Sequence, residues 1–262
     1  MKKLFVFAIC MMAWMTCNAQ EYFEGTLKAR SYEKHSNIVV KFSKGMLVNG
    51  ARDAEMHIKG KKLAVVDKTV NVHTIYNLEE QSLYFLFPYI KKAIQMPTSH
   101  FAKMTANNAT PTPTDVYKTI SGQKCRLYTA EKIENVGGGG TTKIKNQVYL
   151  CEDLQVDPAL APFVTPTGLP YLGIKYIIDS NSRVGIMTMD SHTAYEVKEV
   201  IPCSVDESLF EVPADYEIVD GTSNSKMLGV YSENNKVMKK MKKGKPETEK
   251  EITFDINEEW DF

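Results

Sequence analysis

Apolar and polar residues alternate along most of this chain with a period of two, the spacing of strands that bury one face. Residues 22–29 (YFEGTLKA) alternate, and 37–42 (NIVVKF) are apolar and β-branched. Residues 54–58 and 62–66 flank Gly60-Lys61, which reads as a hairpin turn, and Asn49-Gly50 is a second turn signal. Segments 70–76, 82–87 and 91–96 continue the pattern, with Asn77-Leu78-Glu79-Glu80 as a polar connection. After a polar, proline-interrupted stretch at 99–116, strands resume at 117–120, 124–129 and 142–151, with Gly137–Gly140 as a hairpin tip. Residues 156–164 (VDPALAPFV) have room for one helical turn, and 172–178, 184–189 and 194–201 complete the sheet. The count is roughly ten or eleven strands with turns every ~8–12 residues and no repeat of fixed period. The class this predicts is mainly β: an antiparallel sheet with few helical segments.

The two ends break the pattern. Lys2-Lys3, an apolar run to Met15 and the small residues of Cys17-Asn18-Ala19 form the three parts of a secretory leader cleaved after residue 19. The body is then 20–218, followed by a charged tail at 219–262 expected to be largely disordered. In that tail KVMKKMKKGK sets Val237, Met238 and Met241 against lysines, and 252–262 (ITFDINEEWDF) alternates like a short strand. An exported chain of this kind belongs in the periplasm.

Charge excludes one class of partner. Without Lys2 and Lys3 the 32 basic residues fall to 30, against 32 acidic ones. That balance argues against nucleic acid. No apolar run after Gln20 approaches the ~20 residues of a membrane-spanning helix. The longest, 83–90 (LYFLFPYI), suits a buried strand.

Signatures of catalysis are missing. GGGGTTK leads into a strand, unlike a phosphate loop, which opens a helix. There is no G-x-S-x-G elbow. His35, His57, His73, His100 and His192 are scattered singly, with no metal-ligand spacing, so neither a metal nor a cofactor is expected. Adjacent carboxylates at Glu79-Glu80 and Glu152-Asp153 point to opposite faces of a strand or sit in turns. The expectation is a protein that is not an enzyme.

The cysteines carry a geometric argument. Cys125, Cys151 and Cys203 remain after leader cleavage, and an odd number leaves at least one thiol unpaired within the chain. Cys125 and Cys151 are equidistant from Gly138. If that glycine centres the hairpin, the two stand directly opposite at a separation that accepts a disulfide. The other reading is a pair of buried thiols, since a shift of one residue would turn the side chains to opposite faces.

Phe85, Phe87 and Tyr89 share one face of an aromatic-rich segment, and Met187 and Met189 share a face of a late strand. These five are the candidate lining of an apolar ligand cavity, with core packing as the alternative.

Three ordered stretches bear a resemblance: YKTISGQKCR at 117–126, VYLCEDL at 148–154 followed by Gly168-Leu169-Pro170, and VDESLFEVPADY at 205–216. Together they resemble a family of secreted Gram-negative proteins of unknown function that is similar to the periplasmic lipoprotein carriers and their outer-membrane receptor. The likeness covers about residues 21–218. It implies a half-open barrel with helical or loop segments over its concave face and no catalytic residues. The function expected is sequestration of an apolar ligand: a lipid, an acyl chain or a lipidated protein. The alternative is a cell-envelope assembly protein acting through its tail or an exposed sheet edge.

Overall fold

The computed structural model describes residues 22–36, 50–100, 111–136, 139–184 and 187–243. Among them twelve strands form one sheet. In chain order these are β1 (Gly25–His35), β2 (Gly50–Lys59), β3 (Lys62–Asp67), β4 (Val72–Asn77), β5 (Ser82–Phe87) and β6 (Lys92–Pro97). The second half has β7 (Thr112–Ile120), β8 (Gln123–Val136), β9 (Gly140–Gln155), β10 (Tyr171–Val184), β11 (Met187–Pro202) and β12 (Glu217–Asp220). Helices α1 (Ala161–Val164) and α2 (Asn224–Lys243) and a 3-10 turn at Glu207–Phe210 complete the elements. The leader, the strand at 37–42, the turn at Asn49, most of the 99–116 loop and the chain beyond Lys243 lie outside the described residues.

The sheet is curled without closing, a half-open barrel of mainly antiparallel strands. Its order is β12-β6-β5-β4-β3-β2-β1-β11-β10-β9-β8-β7. Two meanders, β1 to β6 and β7 to β11, therefore meet at one seam, where β1 pairs β11 from Gly25↔Pro202 to His35↔Ser191. Of the segments 184–189 and 194–201, expected as separate strands, Val184 ends β10 while 187–189 and 194–201 lie in the single long β11.

The first meander is regular in a way the residues do not advertise. Strands β3 to β6 start at 62, 72, 82 and 92. Each is six residues long, and each four-residue connection closes on a left-handed residue: Asn71 (φ 50), Gln81 (φ 53) and Lys91 (φ 50). The structural period has no counterpart in a repeated motif, because turns of this type tolerate many side chains and only the backbone repeats.

Period-two alternation sorts side chains onto two faces. The concave face carries the main core, including Leu27, Ile58, Leu63, Leu83, Phe87, Ile94, Leu172 and Val197. Both helices lie on it: Leu160 and Ala161 at α1, and Val230 of α2, are buried there. On the convex face of β3 to β6, Ala64, Ile75, Leu86 and Ala93 meet Val205 and Phe210. The chain thus leaves β11, crosses the convex face and adds β12 parallel to β6 at the edge. It then returns along the concave face as α2.

This corrects the expected disorder of the tail as far as Lys243. Residues 217–243 are a strand and a helix, not a solvated extension. Met227, Val230, Tyr231, Asn234, Met238 and Met241 recur at helical spacing, and Val230 and Asn234 are buried. Gly221 makes the reversal feasible. A methyl group there would meet Met96 Cγ at 2.4 Å and Ile94 Cγ2 at 2.6 Å.

Candidate functional site

Between α2 and the concave face runs a groove of about 430 Å³. β3, β4 and β5 supply Val65, Val72 and Phe85, and α2 supplies Tyr231 and Met238. These apolar residues come together because each sits on the inward phase of its strand or on the sheet-facing side of the helix. Tyr231 is fixed by an edge-on contact with Phe87, ring centres 5.1 Å apart. Burial pushes the Tyr231 phenol above its ordinary value, so it stays neutral.

The other end of the groove is polar. Arg52 from β2 reaches Glu33 Oε2 at 3.1 Å and Asp67 Oδ2 at 3.7 Å. All three side chains are at least four-fifths buried. Asn234 of α2 is 3% exposed and also faces the groove. Its Nδ2 donates to Met238 Sδ at 3.5 Å, and its Oδ1 has no partner.

From Glu33 the polar chain continues across the seam. His35 Nε2 lies 3.1 Å from Glu33 Oε2, and His35 Nδ1 lies 2.9 Å from Ser191 Oγ. Ser, His and Glu at these distances have the spacing of an acyl-transfer triad. Among the described residues, the backbone around Ser191 is committed to the sheet. β11 is paired on both sides at Ser191, with His35 and with Ser180, so its backbone N–H groups belong to the ladder. An oxyanion needs donors aimed at it. The arrangement supplies part-buried hydrogen bonds, one between Ser191 and His35 across the seam and one between His35 and Glu33 along β1.

A larger cavity of about 560 Å³ lies at the hairpin tips, with Lys34, Lys143, Lys145, Asp179, Asp190 and His192 around it. Its charges satisfy one another: Lys145 pairs with Glu131 at 3.1 Å, His192 with Asp179 at 2.7 Å, and Asn181 donates to Asp190. Its lining side chains are all polar or charged and are held in cross-strand pairs. Size is therefore a poorer guide here than lining chemistry, and the groove under α2 is the better candidate. Among the described residues no group of three His, Cys, Asp or Glu side chains is placed to hold a metal.

The five cavity candidates from the sequence divide. Phe85 lines the groove. Phe87 is fully buried beneath α2 and supports Tyr231 instead of meeting a ligand. Tyr89 is 45% exposed in the turn after β5, because Pro88 ends the strand before the alternation reaches it. Met187 and Met189 pair with Val184 and Ser182 at the end of the β10–β11 hairpin, far along the sheet from Phe85. The residues missed were Val65, Val72, Tyr231, Met238, Arg52 and Asn234. The helical spacing from Met227 to Met241 is the signal that could have found those on α2.

The cysteine register is as the hairpin symmetry requires. Every β8–β9 pair from Arg126↔Leu150 to Val136↔Gly140 is centred on residue 138. Cys125 and Cys151 are buried free thiols, and they are in hydrogen-bond contact. The proton Cys125 shares with Cys151, together with burial, pushes the Cys125 thiol up and leaves Cys151 the more acidic partner. Cys203 is an exposed free thiol.

Comparison with protein-family models gives no match for this chain, and comparison with curated proteins gives none either.

Proposed function

We propose that this is a non-catalytic periplasmic binding protein that sequesters an apolar ligand, a lipid or acyl chain, in the groove beneath α2. The observation that carries the reading is the groove itself. Its 430 Å³ falls in the ~300–1,000 Å³ range of small-molecule sites, and Val65, Val72, Phe85, Tyr231 and Met238 present apolar walls beside a few polar groups. Shielding apolar surface there contributes ~25 cal/mol per Å² removed from water. The resemblance to secreted lipoprotein-carrier-like proteins points the same way. No helix among the described residues is long and apolar enough to cross a membrane.

Titration with a fluorescent long-chain acyl probe tests this. Saturable binding of one probe per chain is expected, weakened at least tenfold by Val72→Trp, which fills the groove. Absence of saturable binding, or binding indifferent to Val72→Trp, would sink the proposal. The assembly alternative keeps one specific support. β7 is an edge strand with Val116 and Tyr117 about half exposed. Its tail version loses ground because α2 is packed down.

A further inference from the structure

We infer that the groove selects a neutral single-chain amphiphile with a hydroxyl head, in preference to a fatty-acid carboxylate or a chain whose head cannot donate a hydrogen bond. The inference rests on the groove being the ligand site and adds the class of head group.

Asn234 carries the argument. Its amide is 3% exposed, faces the groove and has an oxygen without a donor. A buried acceptor left in this state is unfavourable, and folded proteins avoid it unless something arrives to pair with it. The groove beside it has Val65, Val72, Phe85 and Tyr231 among its apolar walls, with Thr69 and Thr74 also lining it. A ligand lying on those walls with its donor at Asn234 satisfies both ends of the groove. A hydroxyl both donates and accepts, so it pairs with the amide in either orientation.

Charge separates the hydroxyl from the carboxylate. The cation deepest in the groove, Arg52, already stands between Glu33 at 3.1 Å and Asp67 at 3.7 Å. A third carboxylate brought to that end would face two of its own sign in a sheltered place. Lys239 is the other cation on the wall, and it is exposed and water-screened.

The test uses three probes with the same twelve-carbon chain: dodecanol, dodecanoate and dodecyl methyl ether. Each displaces the fluorescent acyl probe from the full protein at pH 7.5. Dodecanol is expected to displace at about tenfold lower concentration than the ether, the value of one buried hydrogen bond. Asn234→Leu should bring that gap within twofold. The variant removes an unpaired buried polar group, and a thermal melt confirms its fold. Asn234→Ala is the second variant if Leu does not fit. Equal displacement by alcohol and ether in the unmutated protein overturns the hydroxyl assignment. So does a gap that Asn234→Leu leaves in place. Tightest binding by dodecanoate, lost in Lys239→Gln, overturns it in favour of an acid head. In each of these cases chains still bind and the groove reading survives. Failure of all three to displace the probe would instead remove the groove reading itself.

Discussion

The two halves of the sheet are built on opposite plans. Strands β3 to β6 are six residues long and covered on both faces, by the 205–216 segment outside and α2 inside. Strands β8 to β11 are 14 to 16 residues long, and their outer thirds carry polar side chains on both faces. The first half is held by burial. The hairpin tips of the second are held by cross-strand pairs such as Glu131–Lys145 and Asp179–His192, each exposed and weakly stabilising. The groove lies in the covered half. An apolar cavity is stable only where packed walls keep water out, and α2 supplies one of those walls here.

Breaking the cover should therefore cost far more than any change at the tips. Val230→Asp places a charge at a position 4% exposed beneath α2. It should destabilise by about 3–5 kcal/mol and abolish probe binding, read by thermal melts and titration. If the variant melts like the parent and binds the probe, α2 is not a structural cover.

The second half has a staple available in its core. Oxidation by glutathione disulfide would join Cys125 and Cys151, two thiols giving one sulfur–sulfur bond while glutathione takes up two electrons and two protons. Closing this loop should stabilise by roughly 3 kcal/mol. Non-reducing peptide mass spectrometry should find Cys125 joined to Cys151 with Cys203 left out. Probe affinity should stay the same, since the pair lies away from the groove.

Gly221→Ala sharpens the comparison at the hinge of the cover. The added methyl meets Met96, Ile94 and Gln95 O within 2.9 Å. A loss of about 1–3 kcal/mol is expected, with hydrogen exchange rising in α2 and β12 while β8 to β10 stay protected. Uniform exchange across the sheet would count against a hinge.

The smallest effect is acid. Burial lowers His57 and His73 below the ordinary value of 6.5, and both belong to the covered half. The unfolded chain therefore takes up protons first. Their contribution is complete above pH 6.5 and is lost as pH falls through that value toward the folded-state values. Both rings are only partly buried, so the loss is at most about 1 kcal/mol. Replacing both with glutamine should flatten the melting temperature between pH 7 and 5.

Alternation alone exposed the sheet, most strand positions and the Cys125–Cys151 register, because each depends on local periodicity or hairpin symmetry. It could not tell where along a strand a residue meets the cover. Met189 and Phe85 both face inward, and only Phe85 lies under α2. The helix was hidden by composition. Seven lysines in 236–250 read as a solvated tail, while the buried side of α2 includes the polar Asn234 among Met227, Val230 and Tyr231. A polar residue on the inward phase weakens an apolar stripe, and at this position it is also the clearest mark of the site.

The seam between β1 and β11 also governs the order of assembly. Each meander forms from neighbours in the chain, but Gly25 must find Pro202 across nearly the whole body of the molecule. Contacts of such separation are slow to form, since the chain must be ordered before they contribute. The rate-limiting event in refolding should then be the meeting of two preformed meanders. Substitutions at the seam, such as Leu27→Ala, should slow refolding, whereas substitutions in α2 should chiefly hasten unfolding.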